Sequence, residues 1–177
     1  GQPGLYQDLK IITPDGATLQ PGEIGEIEIG GAQPAGGYLL ADGSIERINR
    51  LKTGDLGYLD SDGFLIITGR AKDVIIRGGV NIAPLEIDNA LAAHPDISEA
   101  ATIGVADDVY GEKPVSFATL RAGIKVDEAA VCAHCADRLS NFKVPARIIF
   151  LNNIPKNNRG KVDRAALKAL WTKRYAG

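Results

Sequence analysis

The pattern of apolar residues changes at residues 69–73, Gly-Arg-Ala-Lys-Asp. Before this point, short apolar runs alternate with turn signals such as Asp42-Gly43 and Asp62-Gly63, which is typical of β-hairpins. After it, helical patterns alternate with strand-like runs. Such a change is typical of a domain boundary. We therefore predict a two-lobed α+β chain, in which a small β-barrel-like subdomain at residues 1–71 precedes an α+β domain at residues 72–177.

Local patterns predict the elements of both lobes. Residues 25–29, Gly-Glu-Ile-Glu-Ile, alternate with period two and predict a strand with one wet face. Residues 84–93 begin with proline and carry acids in the first turn, as a helix does, and His94-Pro95 ends it. Further strands are predicted at residues 9–12, 100–105, 115–120 and 147–151, further helices at 127–139 and 163–170, and a polar loop at 107–114. The second lobe is thus a short sheet flanked by helices.

Composition narrows the classes of partner. The chain has 177 residues, 45% of them hydrophobic, which is enough to bury a core. Its net charge of −2 gives no electrostatic reason to expect nucleic acid or an anionic membrane. No apolar run approaches the roughly 18 residues of a membrane span, and the first four residues are not a signal peptide. We expect a cytoplasmic protein and, because the chain starts with glycine and lacks methionine, a piece of a longer one.

Cys132 and Cys135 form a CxxC pair around His134, a spacing found in metal and redox sites. The surrounding residues 127–139 have helical periodicity, and two thiols with the distant His94 do not complete the four ligands of a structural zinc site. We therefore predict no metal site here. His94 is interpreted as a helix-end residue, because no nucleophile or acid pairs with it in the sequence.

Three stretches carry candidate chemistry. Lys161 follows a glycine on a predicted loop, and an ammonium on a long stem suits a phosphate or a carboxylate, although most loop lysines are only solvated. Asp55 lies on a predicted glycine-flanked bend, where its carboxylate could accept hydrogen bonds from the diol of a ribose; a simple Asx turn is the alternative. The adjacent Gly78 and Gly79 let the backbone turn sharply or approach a partner closely.

Four segments occur in a specific order. They are TGDLGYLDSDGFLIITGRAKDVIIRGGVNIAPLEID at 53–88, DDVYGEKP at 107–114, NFKVP at 141–145 and PKNNRGKVDR at 155–164. This order resembles the carboxyl-terminal part of the adenylate-forming superfamily, which includes acyl- and aryl-CoA synthetases, adenylation domains of peptide synthetases, and luciferases. The resemblance covers essentially the whole chain. It implies that residues 1–71 are the last β subdomain of a large adenylating domain and that residues 72–177 are its mobile carboxyl-terminal domain.

The resemblance also implies roles for individual residues near the boundary. Asp55 matches the aspartate that holds the ribose hydroxyls of ATP or AMP, and Arg70 matches an arginine that contacts the same ribose. Lys72 falls on the hinge position about which the carboxyl-terminal domain swings. Hinges absorb backbone change in a few residues at an element boundary, which agrees with this position.

Two further matches concern the chemistry itself. Arg77, Gly78 and Gly79 match the loop that lines the pantetheine tunnel of coenzyme A. Lys161 matches the lysine that bridges the α-phosphate and the substrate carboxylate during adenylation. The attack of a carboxylate on phosphorus brings two anions together, and a preorganised ammonium offsets their repulsion.

The implied activity is that of an ATP-dependent acyl-CoA or aryl-CoA ligase, which forms an acyl-adenylate and then a CoA thioester. Its partners would be a small carboxylic acid, ATP, CoA and the amino-terminal part of the same protein. Mg²⁺ is expected, but the family's phosphate loop and magnesium motif lie upstream of Gly1. We therefore expect these 177 residues to be inactive by themselves.

Two alternatives stay open. An adenylation domain that loads a carrier protein would meet the same phosphopantetheine thiol, so the glycines cannot separate it from a CoA ligase. A basic patch for the CoA 3′-phosphate would favour CoA, and Arg77, Lys143 and Arg147 are its candidates, although each could be a plain surface charge. The other alternative is a non-catalytic folded module.

Overall fold

The computed structural model describes residues 1–4, 7–31 and 37–175. The strands in these ranges are β1 Gln7–Ile12, β2 Gly25–Gly31, β3 Gly37–Leu39, β4 Ile45–Arg47, β5 Arg50–Leu59, β6 Leu65–Arg70, β7 Ile75–Arg77, β8 Val80–Ile82, β9 Ile97–Asp107, β10 Gly111–Leu120 and β11 Arg147–Phe150. The helices are α1 Pro84–Ala92, α2 Glu128–Ala136 and α3 Arg164–Arg174, and short 3-10 turns cover Ala71–Asp73 and Asn141–Lys143.

The chain divides into two compact units, Gly1–Lys72 and Asp73–Gly177. The division falls where the sequence pattern changes from alternating apolar residues and turns to helical segments. It lies one residue after the predicted boundary.

The first unit is built on an antiparallel sheet with the strand order β1-β2-β5-β6. Its buried side chains include Ile11, Ile12 and Ile27, and Ile27 lies on the apolar face that the alternation at residues 25–29 predicts. Strands β3 and β4 form a separate hairpin. In the described ranges β1 does not pair with β6, so the barrel-like closure stays a prediction, although Leu65 in β6 donates a backbone hydrogen bond to Gly1 at 2.7 Å.

The second unit is a five-stranded sheet with helices on both faces. Strand β10 pairs with β9 along its length, with β7 at Gly111, and with the parallel strand β11. Neighbouring strand residues point to opposite faces: Ile148 lies in the core formed with α1 and α2, whereas Ile149 lies in the core formed with α3. The α+β class is therefore confirmed for this unit.

Two predicted boundaries are corrected by the fold. The polar segment 107–114 is mostly strand, because β9 runs to Asp107 and β10 begins at Gly111, which leaves a three-residue turn. The register of this pair carries Glu112 and Lys113 into the ladder despite their charge. Here the long-range pairing with β9 outweighs the low strand propensity of these charged residues.

Within the described residues, no helix combines the length and the hydropathy that crossing a membrane requires.

Candidate functional site

Lys161 lies on a short, hydrogen-bonded loop between β11 and α3, here called the Lys161 loop and comprising residues 155–163. Lys156 and Val162 form an antiparallel bridge at its base. Asn157 N–H donates to the Lys161 carbonyl at 2.8 Å, and Asp163 N–H donates to the Pro155 carbonyl at 2.9 Å. The loop is thus a miniature hairpin with a defined backbone.

One asparagine organises the tip of this hairpin. Asn157 Oδ1 accepts from the backbone N–H of Arg159 at 2.9 Å and from that of Lys161 at 3.1 Å. Gly160 has a φ of +74° and donates its N–H to the Asn157 carbonyl at 2.9 Å. A side-chain amide that replaces a backbone turn in this way fixes the chain locally, and glycine supplies the left-handed conformation.

The Lys161 side chain is exposed and makes no hydrogen bond or ion pair within the described residues. Its neighbour across the bridge, Lys156, is instead paired with Glu99 on β9 at 3.1 Å. A charged ammonium on a fixed backbone, with no partner in its own unit, is free to meet an external anion. The prediction that Lys161 lies on a loop is confirmed.

A partly buried ion pair follows the Lys161 loop and was not predicted from the sequence. Arg164, the first residue of α3, donates from Nη2 to Asp88 Oδ2 on α1 at 2.5 Å and from Nε to the Thr102 carbonyl on β9 at 3.1 Å. Burial raises the pKa of Asp88 to about 6, and the Arg164 charge offsets only part of that rise. The sequence held one signal: Asp88 follows Ile87 and precedes Leu91 on the buried side of α1.

Asp55 and Arg70, predicted to contact one ribose, are brought together in the first unit. They are directly paired residues on β5 and β6, and Arg70 Nε donates to Asp55 Oδ1 at 2.7 Å. Asp55 lies within β5, so its predicted location on a bend between strands is wrong. The backbone irregularity is a bulge at Gly54, with φ +73°, where Thr53 Oγ1 accepts from the Asp55 N–H at 3.1 Å.

The Asp55–Arg70 pair has unused hydrogen-bonding capacity. Among the described residues, the Asp55 carboxylate is bonded only through Oδ1, and Arg70 donates only through Nε. The second carboxylate oxygen can accept from a hydroxyl, and the two Nη groups can donate. The pair is partly exposed, with side-chain exposures of 33% for Asp55 and 49% for Arg70, so a ligand can reach it. The Asp55–Arg70 pair could therefore form hydrogen bonds to the two hydroxyls of a vicinal diol.

Lys72 is exposed and lies in the 3-10 turn Ala71–Asp73, as the last residue of the first unit. No hydrogen bond or ion pair of its side chain occurs among the described residues. The turn contains no buried residue, which agrees with a connecting segment rather than a packed element.

Gly78 and Gly79 form the two-residue turn of the β7–β8 hairpin, with φ values of +57° and +82°. Positive φ at both central positions is the requirement of a type I′ hairpin turn, and it explains the paired glycines directly. Lack of space does not explain these glycines. A Cβ at Gly79 would meet no atom within 4 Å, and one at Gly78 would meet Tyr110 Cδ1 at 3.4 Å.

The three basic candidates for the CoA phosphate all have acceptors in the structure. Arg77 donates from Nη1 to the Phe142 carbonyl at 2.6 Å, and its guanidinium lies 5.2 Å from the centre of the Tyr110 ring. Lys143 pairs with Glu86 at 2.7 Å, and Arg147 pairs with Glu128 at 3.0 Å. Each of these three basic side chains thus already has an acceptor within the second unit. Among the three, Arg77 lies beside the Gly78–Gly79 turn.

The CxxC segment is helical, as predicted. Cys132 and Cys135 lie on α2, both are free thiols, and burial raises the pKa of both. His134 Nε2 is 3.1 Å from the Ala90 carbonyl, and its ring meets His94 edge-on at a centroid distance of 4.8 Å. In the described part of the chain no group of three or more His, Cys, Asp or Glu residues is arranged to hold a metal ion.

Comparison with known proteins places this geometry in context. Residues 86–161 match the model of the AMP-binding enzyme C-terminal domain. The chain is 42% identical over 162 residues to the sulfoacetate–CoA ligase of Cupriavidus necator, covering 89% of this chain and 32% of that protein. It is 40% identical over 176 residues to the 2-succinylbenzoate–CoA ligase of Geobacillus kaustophilus, covering 98% of this chain and 36% of that protein.

Solved structures give the same result. ATP-bound MatB from Rhodopseudomonas palustris superimposes with a TM-score of 0.86 at 32% identity, covering 99% of this chain and 36% of that one. The o-succinylbenzoate CoA synthetase of Bacillus subtilis, in complex with an acyl-adenylate intermediate, has a TM-score of 0.86 at 35% identity and covers 95% of this chain and 35% of that one. The chain thus spans about a third of the length of the relatives it matches. On sequence and on fold, the chain belongs to the adenylate-forming superfamily, as the counterpart of the carboxyl-terminal part of its CoA ligases.

Proposed function

We propose that this chain is the carboxyl-terminal part of an ATP-dependent acyl-CoA or aryl-CoA ligase and that Lys161 serves its adenylation step. The observation that carries the proposal is the exposed Lys161 ammonium, which has no partner among the described residues and is held on a loop with a fixed backbone. The relatives support the reaction class, since several bear the name CoA ligase.

The first half-reaction joins two anions. A carboxylate oxygen of the acid attacks the α-phosphorus of ATP, a new oxygen–phosphorus bond forms, and the bond to pyrophosphate breaks. Lys161 places a positive charge between the carboxylate and the α-phosphate, where negative charge accumulates. In the second half-reaction the CoA thiol attacks the acyl carbon, AMP leaves with the bonding electrons, and the thiol proton is lost. This step brings no second anion to phosphorus, so Lys161 is not needed for it.

The remaining sites divide between the two units. In the first unit, the open carboxylate oxygen of Asp55 accepts from the ribose hydroxyls and the Nη groups of Arg70 donate to them. In the second unit, the Gly78–Gly79 turn offers its exposed backbone to the pantetheine arm, with Arg77 beside it. We propose that Lys72, the last residue of the first unit, is the pivot. We infer that a carboxylic acid, ATP and CoA are the substrates of the complete ligase.

The described residues offer no evident set of ligands for the Mg²⁺ that the reaction is expected to use. The described ranges contain no cluster of acidic, histidine or cysteine side chains that suits it. We infer that the groups that hold the metal and the triphosphate belong to the rest of the ligase, so the 177-residue chain alone does not catalyse the overall reaction.

The test uses the complete ligase with residues 1–177 as its carboxyl-terminal part, a panel of carboxylic acids, ATP, Mg²⁺ and CoA. Pyrophosphate release should depend on one or more of the acids, and AMP and a CoA thioester should form. Lys161→Ala should slow acyl-adenylate formation by about 100- to 1,000-fold. Thioester formation from a supplied acyl-adenylate should continue.

A matched control is available in the same loop. Arg159 is exposed and cationic, and its side chain makes no hydrogen bond or ion pair within the described residues. Arg159→Ala should leave both half-reactions within about twofold of wild type, because its charge is solvated. Equal losses of both half-reactions in Lys161→Ala would contradict the role assigned to this lysine.

A further inference from the structure

The Asp88–Arg164 pair joins three elements of the second unit at one point. Arg164 begins α3, Asp88 lies in α1, and the Thr102 carbonyl belongs to β9. Helices α1 and α3 cover opposite faces of the sheet, and β9 pairs only with β10 among the described strands. The guanidinium therefore ties both helix layers together over the outer edge of β9.

Two ion pairs anchor the Lys161 loop, one near each end, and they differ in burial. On the amino-terminal side, Lys156 pairs with Glu99 at 3.1 Å, with side-chain exposures of 48% and 35%. On the carboxyl-terminal side, Arg164 pairs with Asp88, with exposures of 23% and 11%. Exposed pairs contribute little because water screens them, whereas a buried charge that loses its partner is strongly penalised. The buried anchor is the one that constrains the geometry.

The pairing of the buried Asp88 with Arg164 is not explained by stability alone. Asp88 is 9% exposed, and its second oxygen, Oδ1, has no hydrogen-bond partner in the described part of the chain. Removing such charges from water commonly costs more than their attraction returns. The raised pKa of Asp88 reports the same cost. A pair that is energetically expensive but geometrically specific suits a positioning role.

The path from Arg164 to Lys161 is short and stiff. Only two residues separate them: Val162 bridges to Lys156, and Asp163 caps α3 by accepting from the Ala166 N–H at 3.0 Å. Because every link is hydrogen-bonded, a shift of Arg164 moves the backbone of Lys161. Reactions that depend on the alignment of charged groups are sensitive to displacements of about 1 Å.

We propose that Asp88 and Arg164 are positioning residues that hold the Lys161 loop where its ammonium serves adenylation. The proposal rests on the adenylation role of Lys161 proposed above. Neither residue contacts the reacting atoms; each acts through the backbone of α3 and the loop.

The first test needs no activity and uses the 177-residue chain itself. Arg164→Lys keeps the charge but cannot reach Asp88 and the Thr102 carbonyl with one planar group. Hydrogen exchange at the amides of residues 157–163 should quicken by about tenfold or more. The matched control Lys156→Ala removes the exposed anchor on the other side and should change this exchange by no more than about twofold. Unchanged exchange in Arg164→Lys would overturn the proposal.

The second test measures the two half-reactions in the complete ligase. Arg164→Lys should slow acyl-adenylate formation by about 100-fold, while thioester formation from supplied acyl-adenylate stays within about twofold. A merely structural pair predicts equal losses in both steps, and that result would overturn the proposal. The double variant Asp88→Leu/Arg164→Met removes both charges and guards against misfolding, because apolar replacements of buried pairs are commonly tolerated. It should fold and still adenylate slowly; full recovery of adenylation would also overturn the proposal.

The experiments distinguish failure of the proposed function from failure of the positioning role. A folded wild-type ligase that adenylates no acid would refute the adenylation role of Lys161, and with it the catalytic part of this inference. Hydrogen exchange in the 177-residue chain would still decide whether Asp88 and Arg164 fix the loop.

Discussion

At the scale of single residues, Asp88 carries the largest perturbation that the structure shows for a carboxylate. Burial raises its pKa from the ordinary 3.8 to about 6. Between these two values the folded chain binds a proton that the unfolded chain has released. Stability from this group is therefore greatest below about pH 4 and is lost as the pH rises through about 6.

Asp88→Asn should remove this pH dependence. The asparagine resembles the protonated carboxyl, so the variant should gain stability relative to wild type by about 2 kcal/mol as the pH rises from about 4 to about 7. Urea unfolding of the 177-residue chain over this range measures the difference. Asp108→Asn, at an exposed site on the turn between β9 and β10, is the control and should show no such trend. A flat difference for Asp88→Asn would contradict the burial argument.

Sequence reasoning reached some residues and missed others for a physical reason. Lys161 and the turn at Gly78 were identified because loops and paired glycines leave local signals. The Asp88–Arg164 pair spans 76 residues of sequence, and no local pattern encodes such a contact. Asp55 was placed on a bend because flanking glycines mimic a turn, whereas cross-strand pairing with Arg70 keeps it in a strand.

At the scale of elements, the two Asp-capped helices offer a matched comparison. Asp127 caps α2 by accepting from the Ala130 N–H at 2.7 Å, and Asp163 caps α3 in the same way. The two caps have the same spacing between cap and donor, although Asp127 is exposed and Asp163 is half-buried. Only α3 follows the Lys161 loop, so the caps differ in their distance from the proposed chemistry.

Replacing either cap by alanine should lower the free energy of unfolding by about 1 kcal/mol. Only Asp163→Ala should also slow acyl-adenylate formation, because it loosens the turn that links Lys161 to Arg164. Thermal unfolding of both variants and pyrophosphate release by the complete ligase measure the two effects. Similar slowing by Asp127→Ala would show that general destabilisation is responsible.

Elements with strong local signals were predicted well. The helix starts at Pro84 and after Asp163 follow from a proline and a capping aspartate, and the structure confirms both. Strand ends left weaker local signals: β10 begins at Gly111 inside a charged stretch. Its ladder with β9 determines that boundary, and the partner strand is not visible in a local window.

At the scale of the whole molecule, the division after Lys72 is the main feature. The two units have separate cores, and the proposed ribose-binding residues lie in one while Lys161 and the Gly78–Gly79 turn lie in the other. The proposed function therefore requires residues from both units. The change in hydrophobic periodicity lies next to this division. Closure of the first sheet leaves no such local signal, because it depends on long-range pairing, and it stays a prediction.

Lys72→Pro tests the pivot. Proline fixes φ at position 72 and restricts residue 71, so the segment should lose the freedom to change conformation. The two half-reactions of the complete ligase should then slow unequally, with one falling by about 100-fold and the other nearly unaffected. Lys72→Ala keeps a flexible backbone and is the control; it should retain both. Single-turnover assays of each half-reaction provide the measurement, and equal slowing in Lys72→Pro would argue against a pivot.

The position of Arg164 on the outer edge of β9 has a consequence for association between molecules. A strand that pairs on one side only can recruit a strand from another chain, and proteins commonly block such edges with charged side chains. Arg164 Nε donates a hydrogen bond to the Thr102 carbonyl at 3.1 Å, so that this carbonyl has a cation beside it. The same guanidinium thus discourages sheet extension into aggregates, and chains that lose it should precipitate sooner at high concentration.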